Sequence, residues 1–414
     1  MNSLEVSSYL TIAVIVFVLI KRLVCGKGGS IMVLIILLFL MVTPGFIIDV
    51  QNEIFWGTVK TRNLTLFIIL LCLTAIPWIA FDNWFRKIRT ITLSEKGVIL
   101  LKKVFNVVIV ACLFSYIYVF PYAIRSYSIG AIEIRDNLRD LSVLPESIFT
   151  TISVAIGLLS PFYVFFFFLS FLDERLKKYT IWLFFCSFIY IVVSMPFMAR
   201  DGFIVLPIMY AIMYLIFKES MSPKSKKKIA GYFVIVVGVA LGLLTVYTLS
   251  RFYIKTTSGF DSTRLVSGSW GYLFQQPYVF DRTIEHQHYW HGVGLRFPIL
   301  SVFSNSPARE VVRTQDFETM FGTMLSEFYS IGGYWSLFVF TFSFIIIYYV
   351  GLKMNIRRNN YFSVFMFFIT YLMLEVTGLF YFRYGGISNN YLFLLLTIMP
   401  LFLPKNIIIL NKSI

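Results

Sequence analysis

The chain has 414 residues, of which 58% are hydrophobic and only 14% charged, and its formal net charge is +15. A soluble domain carries about a quarter charged residues, so this composition excludes an ordinary globular enzyme and indicates an all-α polytopic membrane protein. In so apolar a chain the positive excess points to basic loops facing anionic lipid, not to nucleic acid.

Crossing the hydrocarbon core takes about 20 apolar residues. Eleven stretches are expected to do so: 6–20, 31–50, 64–81, 104–122, 148–172, 179–198, 202–217, 229–250, 331–352, 361–379 and 391–403. No basic run precedes the first of them, so no cleaved signal peptide is expected. Cys25, Cys72, Cys112 and Cys186 lie in or beside apolar runs, which does not suggest a disulfide framework. No repeat and no long linker interrupts the pattern, and a single transmembrane domain over 1–414 is expected. Between spans four and five, Ile134, Leu138 and Leu141 recur with helical spacing opposite Arg135, Asp136, Arg139 and Asp140, the pattern of an amphipathic helix in the interface.

Alternate loops divide the basic residues unequally. One set holds sixteen lysines and six arginines, the other two lysines and twelve arginines. The positive-inside rule makes the larger set cytoplasmic, with the N-terminus outside and the C-terminus inside. The residue types divide as well. Either cation serves as a topology signal, whereas arginine alone presents a planar fork that matches phosphate or carboxylate oxygens in pairs. Some outer arginines pair with loop acids. Arg200 and Arg383, in very short loops, are functional candidates.

The largest polar segment is the external loop 251–327. It holds all three histidines, His286, His288 and His291, and six arginines, among them Arg251, Arg264, Arg282 and Arg296. Pro277 can sit in the first turn of a helix running through Asp281 and Arg282 to about Glu285. The histidine spacing is not that of a zinc helix, and no HExxH occurs, so no metal is expected. A histidine such as His288 could serve as a base or hydrogen-bond partner. Glu327 precedes an apolar run, a setting expected to raise a carboxylate pKa toward the range of a general base; the alternative is a helix N-terminal acid held by the macrodipole. Asp201, beside Arg200 in the turn between spans six and seven, is a second acid at the membrane edge. Glu375 lies in mid-span. Tyr272, Gln276 and Tyr329 are polar groups in the same runs and join the arginines as substrate-contact candidates. No GxxxxGK[ST], GxSxG or CxxC occurs, which argues against an intrinsic ATPase, a serine hydrolase elbow and a thiol redox motif.

The layout resembles the O-antigen polymerase family, the repeat-unit polymerases of bacterial surface polysaccharide. The matching features are ten to twelve spans, one large external loop late in the chain, the Arg200-Asp201-Gly202 turn, and the Gly322…Glu327-Phe328-Tyr329…Gly332 run that enters the following span. The resemblance implies a glycosyltransferase C type of fold in the cytoplasmic membrane. It implies undecaprenyl-diphosphate-linked oligosaccharide as donor and acceptor, with no metal or nucleotide cofactor. A flippase and a chain-length regulator of the same pathway are the implied partners. On that reading, arginines stabilise the departing lipid diphosphate, and Glu327, Asp201 or a histidine takes the acceptor proton. An O-antigen ligase or another lipid-linked sugar transferase shares these features. A flippase should instead carry charge along several spans.

Overall fold

The computed structural model describes residues 60–74, 76–129, 144–145, 147–197, 201–252, 276–285, 323–380 and 395–412. Its elements in chain order are α1 (Thr61–Thr74), α2 (Ile76–Phe85), β1 (Ile88–Leu93), α3 (Glu95–Ile129), α4 (Ile148–Leu158), α5 (Ser160–Leu169), α6 (Thr180–Ser187), α7 (Ile189–Ser194), α8 (Asp201–Phe217), α9 (Pro223–Phe252), α10 (Gln276–Glu285), α11 (Met324–Arg357), α12 (Tyr361–Phe380) and β2 (Ile408–Lys412). Helix therefore occupies every predicted apolar stretch from 64–81 to 361–379, while the first two stretches and the expected helix near Ile134 lie outside the described residues. Among the described residues four helical runs are long and apolar enough to cross a membrane: Arg62–Phe85, Glu95–Ser126, Glu174–Ser194 and Gly332–Arg357. A fifth is the pair α4 and α5, bent by 48°. The bend has a local cause. Pro161 cannot donate to the preceding turn, so a new helix starts behind Leu159, and the Tyr163 hydroxyl donates to the Ile156 carbonyl at 3.0 Å.

The described chain forms two compact units. One contains α1, α2, α10, α11 and most of α12. Its core is aromatic: Trp78 and Phe81 pack edge-on or tilted against Phe368 and Tyr371. The Tyr371 hydroxyl donates to the Thr74 carbonyl at 2.6 Å, where α1 gives way to α2. Asp82, which sequence reasoning passed over, is buried near the end of α2 and pairs with Arg86 one turn later at 2.6 Å. Such a charge is kept in an apolar bundle only when it is paired.

The other unit contains β1, α3 to α9 and β2. Residues 161–169 of α5 are buried all round, and Phe167 meets Phe184, Tyr210 and Tyr232. The unit also departs from the all-α expectation. β1 and β2 pair antiparallel, Ile91 opposite Leu410 and Leu93 opposite Ile408, with an irregularity between Ile88 and Thr90. The β-branched run Ile88-Arg89-Thr90-Ile91-Thr92 favours extended backbone, and the ribbon closes through a partner more than 300 residues away, which no local pattern reveals. Asn406, at φ 64°, makes the left-handed turn that leads into β2.

Candidate functional site

The candidate site is built where α10, the helix within the polar segment 251–327, lies on the first turn of α1. α10 packs against α1 and α11 within its unit. It forms where the sequence indicates: Gln276 and Pro277 open it, and Asp281 and Glu285 stand one turn apart on the side toward α1. Asn63 is fully buried between them. Its amide nitrogen donates to Asp281 Oδ1 at 2.8 Å and to Glu285 Oε1 at 2.7 Å. Asp281 Oδ1 also accepts the Lys60 backbone N–H at 3.1 Å, so this carboxylate caps the start of α1 from outside the helix. The Lys60 ammonium is bonded to Glu285 Oε2, and Arg62 reaches Glu285 Oε1 at 3.7 Å and the Tyr334 hydroxyl at 3.4 Å. Beneath, Phe67 packs on Phe280 with ring centroids 5.1 Å apart.

The two acids titrate in opposite directions. Burial pushes the Asp281 carboxyl above its ordinary value, despite the hydrogen bonds from Asn63 and Lys60. The hydrogen bonds from Lys60 and then Asn63 pull Glu285 below its ordinary value. A raised carboxyl binds protons more tightly folded than unfolded, so Asp281 favours folding less as pH rises through its folded pKa. A lowered one contributes above its unfolded value, and Glu285 loses that contribution as pH falls through its folded pKa. The Lys60 and Arg62 pairs are exposed and worth little individually. The buried Asn63–Asp281 contact carries the attachment.

Asp281→Asn should therefore hold α10 in place at neutral pH, since an amide oxygen still accepts both bonds and no buried charge remains. Asp281→Leu removes the acceptor of a buried Asn63 N–H and of the part-buried Lys60 N–H and should cost about 1–3 kcal/mol. Thermal unfolding of the purified variants compares them; an Asn variant as unstable as the Leu variant would show that charge, not hydrogen bonding, holds the helix.

Three of the candidate residues have described side chains. Arg282 is half-buried on α10. Gln276 is buried at the start of the same helix. Tyr329, buried in α11, donates to the Ile284 carbonyl of α10 at 3.5 Å and stacks edge-on with Tyr334. All three thus gather about α10, and Tyr329 acts there as a packing and anchoring group. For Asp201, Arg251 and Glu327 the backbone alone is described. Asp201 is the first residue of α8, Arg251 lies in the last turn of α9, and Glu327 lies in the first turns of α11, behind Thr323, whose hydroxyl caps the helix. Arg200, Arg264, Tyr272, His288, Arg296 and Arg383 lie outside the described residues. Sequence reasoning singled out neither Lys60, Asn63 nor Asp281. The signal available was an amide and two cations opening one apolar helix, with two acids four apart on another.

α11 is interrupted. Gly332 and Gly333 leave helical geometry, and Gly333 takes a positive φ of 71°, open to glycine at little cost. The Ser336 hydroxyl bonds to the carbonyls of Phe328, at 2.6 Å, and Gly333, at 2.9 Å, satisfying acceptors that the break exposes. The segment bearing Glu327 is therefore a short stub ahead of the membrane-crossing part, Gly332–Arg357.

Fold and site together define an α-helical protein with helices long and apolar enough to cross a membrane and a polar cluster at the head of α1. No family model, curated protein or solved structure matches the chain.

Proposed function

We propose that this protein polymerises undecaprenyl-diphosphate-linked oligosaccharide repeat units into surface polysaccharide, at the outer face of the bacterial cytoplasmic membrane. The chain would cross eleven times in a glycosyltransferase C type of architecture. The observation that carries this reading is the anchored loop helix. α10 brings Arg282 from the external loop into the packing against α1, and Tyr329 of the Glu327-Phe328-Tyr329 run closes on the same helix. A polyprenyl tail stays in the bilayer while its diphosphate is met by arginines at the membrane edge. With no metal in the reaction, those arginines neutralise the leaving group as the sugar C1–O bond breaks. The acceptor hydroxyl gives its proton to Glu327, Asp201 or His288.

Glycan length on deletion of the gene tests the class. Surface glycan of a single repeat supports polymerisation; full-length lipid-linked glycan that never reaches its final carrier makes the protein a ligase. Unchanged glycan would remove both.

Orientation is tested by cysteine labelling of intact cells. Cysteine at position 267, in the external loop, should react. Cysteine at Lys227 should not, and labelling there would invert the topology. Lys227 is exposed, whereas the nearby Ser225 is buried against Ser222 and would report poorly on either face.

Arg→Lys at Arg200, Arg251, Arg282 and Arg383 keeps the charge and loses the fork. These variants are expected to insert normally and to polymerise poorly. Parent-like polymer from all four would separate these residues from the diphosphate.

A further inference from the structure

At the lysine-rich end of the unit that holds the ribbon, four segments distant in sequence are joined into one surface. β1 pairs with β2. The Ile91 N–H donates to Ser220 Oγ at 2.7 Å, the Ser94 N–H to the Ile407 carbonyl at 3.0 Å, and Arg175 stands 3.9 Å from Glu95. The segments are 87–103, 173–178, 218–228 and 404–412, and together they carry fifteen Lys and Arg against four Asp and Glu. Arg89, Lys96, Lys227 and Lys405 are exposed. Ile409 is exposed among them on β2.

This surface is tied to the edge of the apolar layer. β1 passes through one residue, Ser94, into α3, and the 3₁₀ turn Glu174–Tyr179 runs straight into α6. Both lead into runs long and apolar enough to cross a membrane. Within so few residues of the hydrocarbon, the first chemistry the cations meet is that of lipid head groups. Thirteen of the fifteen are lysines. A lysine ammonium is a hydrated point charge on a flexible stem and suits phosphates at variable positions, where a forked guanidinium would demand one geometry. An exposed Ile409 between cations follows the interfacial pattern, apolar contact below and charge at the head-group level.

We propose that the β1–β2 ribbon and the loops bonded to it form a binding surface for anionic phospholipid head groups, with Arg89 on β1, Lys96 at the start of α3 and Lys405 in the turn before β2 as its exposed cations. Pairing β2 with β1 holds Lys405 at the same end of the unit as Arg89 and Lys96, where lipid phosphates would lie. Exposed charges are screened beyond about 10 Å at 0.1 M salt, so the binding should weaken as salt rises.

The test titrates the full-length protein, purified in uncharged detergent, with dioctanoyl phosphatidylglycerol, dioctanoyl phosphatidylcholine or inorganic phosphate. The variant is the triple Arg89→Gln, Lys96→Gln, Lys405→Gln, which leaves the lysines of 218–228 and the topology signal in place. Phosphatidylglycerol should bind more tightly than phosphatidylcholine. A basic residue at an anionic surface is worth about a factor of five, so the triple variant should bind it roughly 100-fold more weakly. Its unfolding temperature without lipid should match the parent's. Equal binding of the two lipids, parent-like affinity in the variant, or competition by inorganic phosphate at equal concentration would each overturn the proposal; the last would indicate a site for free anions. If the triple variant does not fold, Lys405→Gln alone should still lower affinity about fivefold, and no change there would count against the ribbon.

Discussion

Glu327→Gln is expected to slow chain extension about 10²–10⁴-fold while leaving the protein able to bind the lipid-linked repeat unit. The substitution preserves shape and removes the group that accepts a proton. The backbone supports the choice of residue. Glu327 lies on the stub of α11 between Ser326 and Phe328, both buried, and two residues before Tyr329, which is bonded to α10. The backbone at this position is fixed by its packed neighbours, and a base must be held within hydrogen-bond reach of its proton. Purified protein supplied with lipid-linked repeat units gives the rate, and retention of labelled substrate gives the binding. Extension by the Gln variant at near-parent rate would take Glu327 out of proton transfer. Asp201 and His288 would then be the remaining groups. A transition state dominated by leaving-group departure, needing no strong base, would be the other consistent account.

Gly97→Ala is expected to loosen the C-terminal strand and to destabilise its unit by about 1–3 kcal/mol. A Cβ at Gly97 would stand 2.5 Å from the Ile407 carbonyl oxygen and 3.0 Å from its Cα. Those are backbone atoms and have no rotamer by which to move aside. The same corner is tied by Ser94, whose hydroxyl accepts the Gly97 N–H at 3.0 Å and is bonded to the Asn406 carbonyl. Displacing 406–407 therefore disturbs the cap of α3 and the ribbon together. Gly231→Ala is the control. Nothing lies within 4 Å of a Cβ placed there, in a helix where Ala is preferred to Gly by up to about 1 kcal/mol. Unfolding temperatures and proteolysis behind Lys405 compare the two. If Gly97→Ala unfolds like the parent with its tail equally protected, the close packing of Ile407 on α3 is wrong.

Much of the helical framework is legible in the chain because its signals are local. Apolar runs locate α1 to α9, α11 and α12, and Pro277 followed by polar residues as far as Glu285 gives α10 almost to the residue. What the chain hides is pairing at a distance. The ribbon needs Ile91 to find Leu410, and residues near 410 look like the trailing end of a span when read alone. The cluster at the head of α1 is hidden for the same reason. Lys60 and Arg62 read only as two cations of the smaller, outer set, and Asp281 and Glu285 as acids of a polar loop. The structure puts Asn63 between the two acids and makes Glu285 the counter-ion of both cations. Pairing of this kind, raised from sequence as the alternative for outer arginines, thus accounts for Arg62. Asp82 was missed because it follows the apolar run instead of interrupting it, yet in the folded unit it is buried.

The pair Gly332-Gly333 changes how the length of α11 is to be counted. Along an unbroken helix each residue turns the bearing of the next by about 100°, so the face occupied at 327 would dictate the face occupied at 340 or 350. Two consecutive non-helical residues cancel that phase relation. The stub takes its azimuth from Tyr329 against α10, while the rod beyond takes its own from α2 and from Phe367, which lies against Gly351. A helical wheel drawn from 324 to 357 would mix two frames of reference. A substitution that turns the rod reaches the stub only through that break, and the backbone at Glu327 takes its place from the packing of Tyr329 on α10.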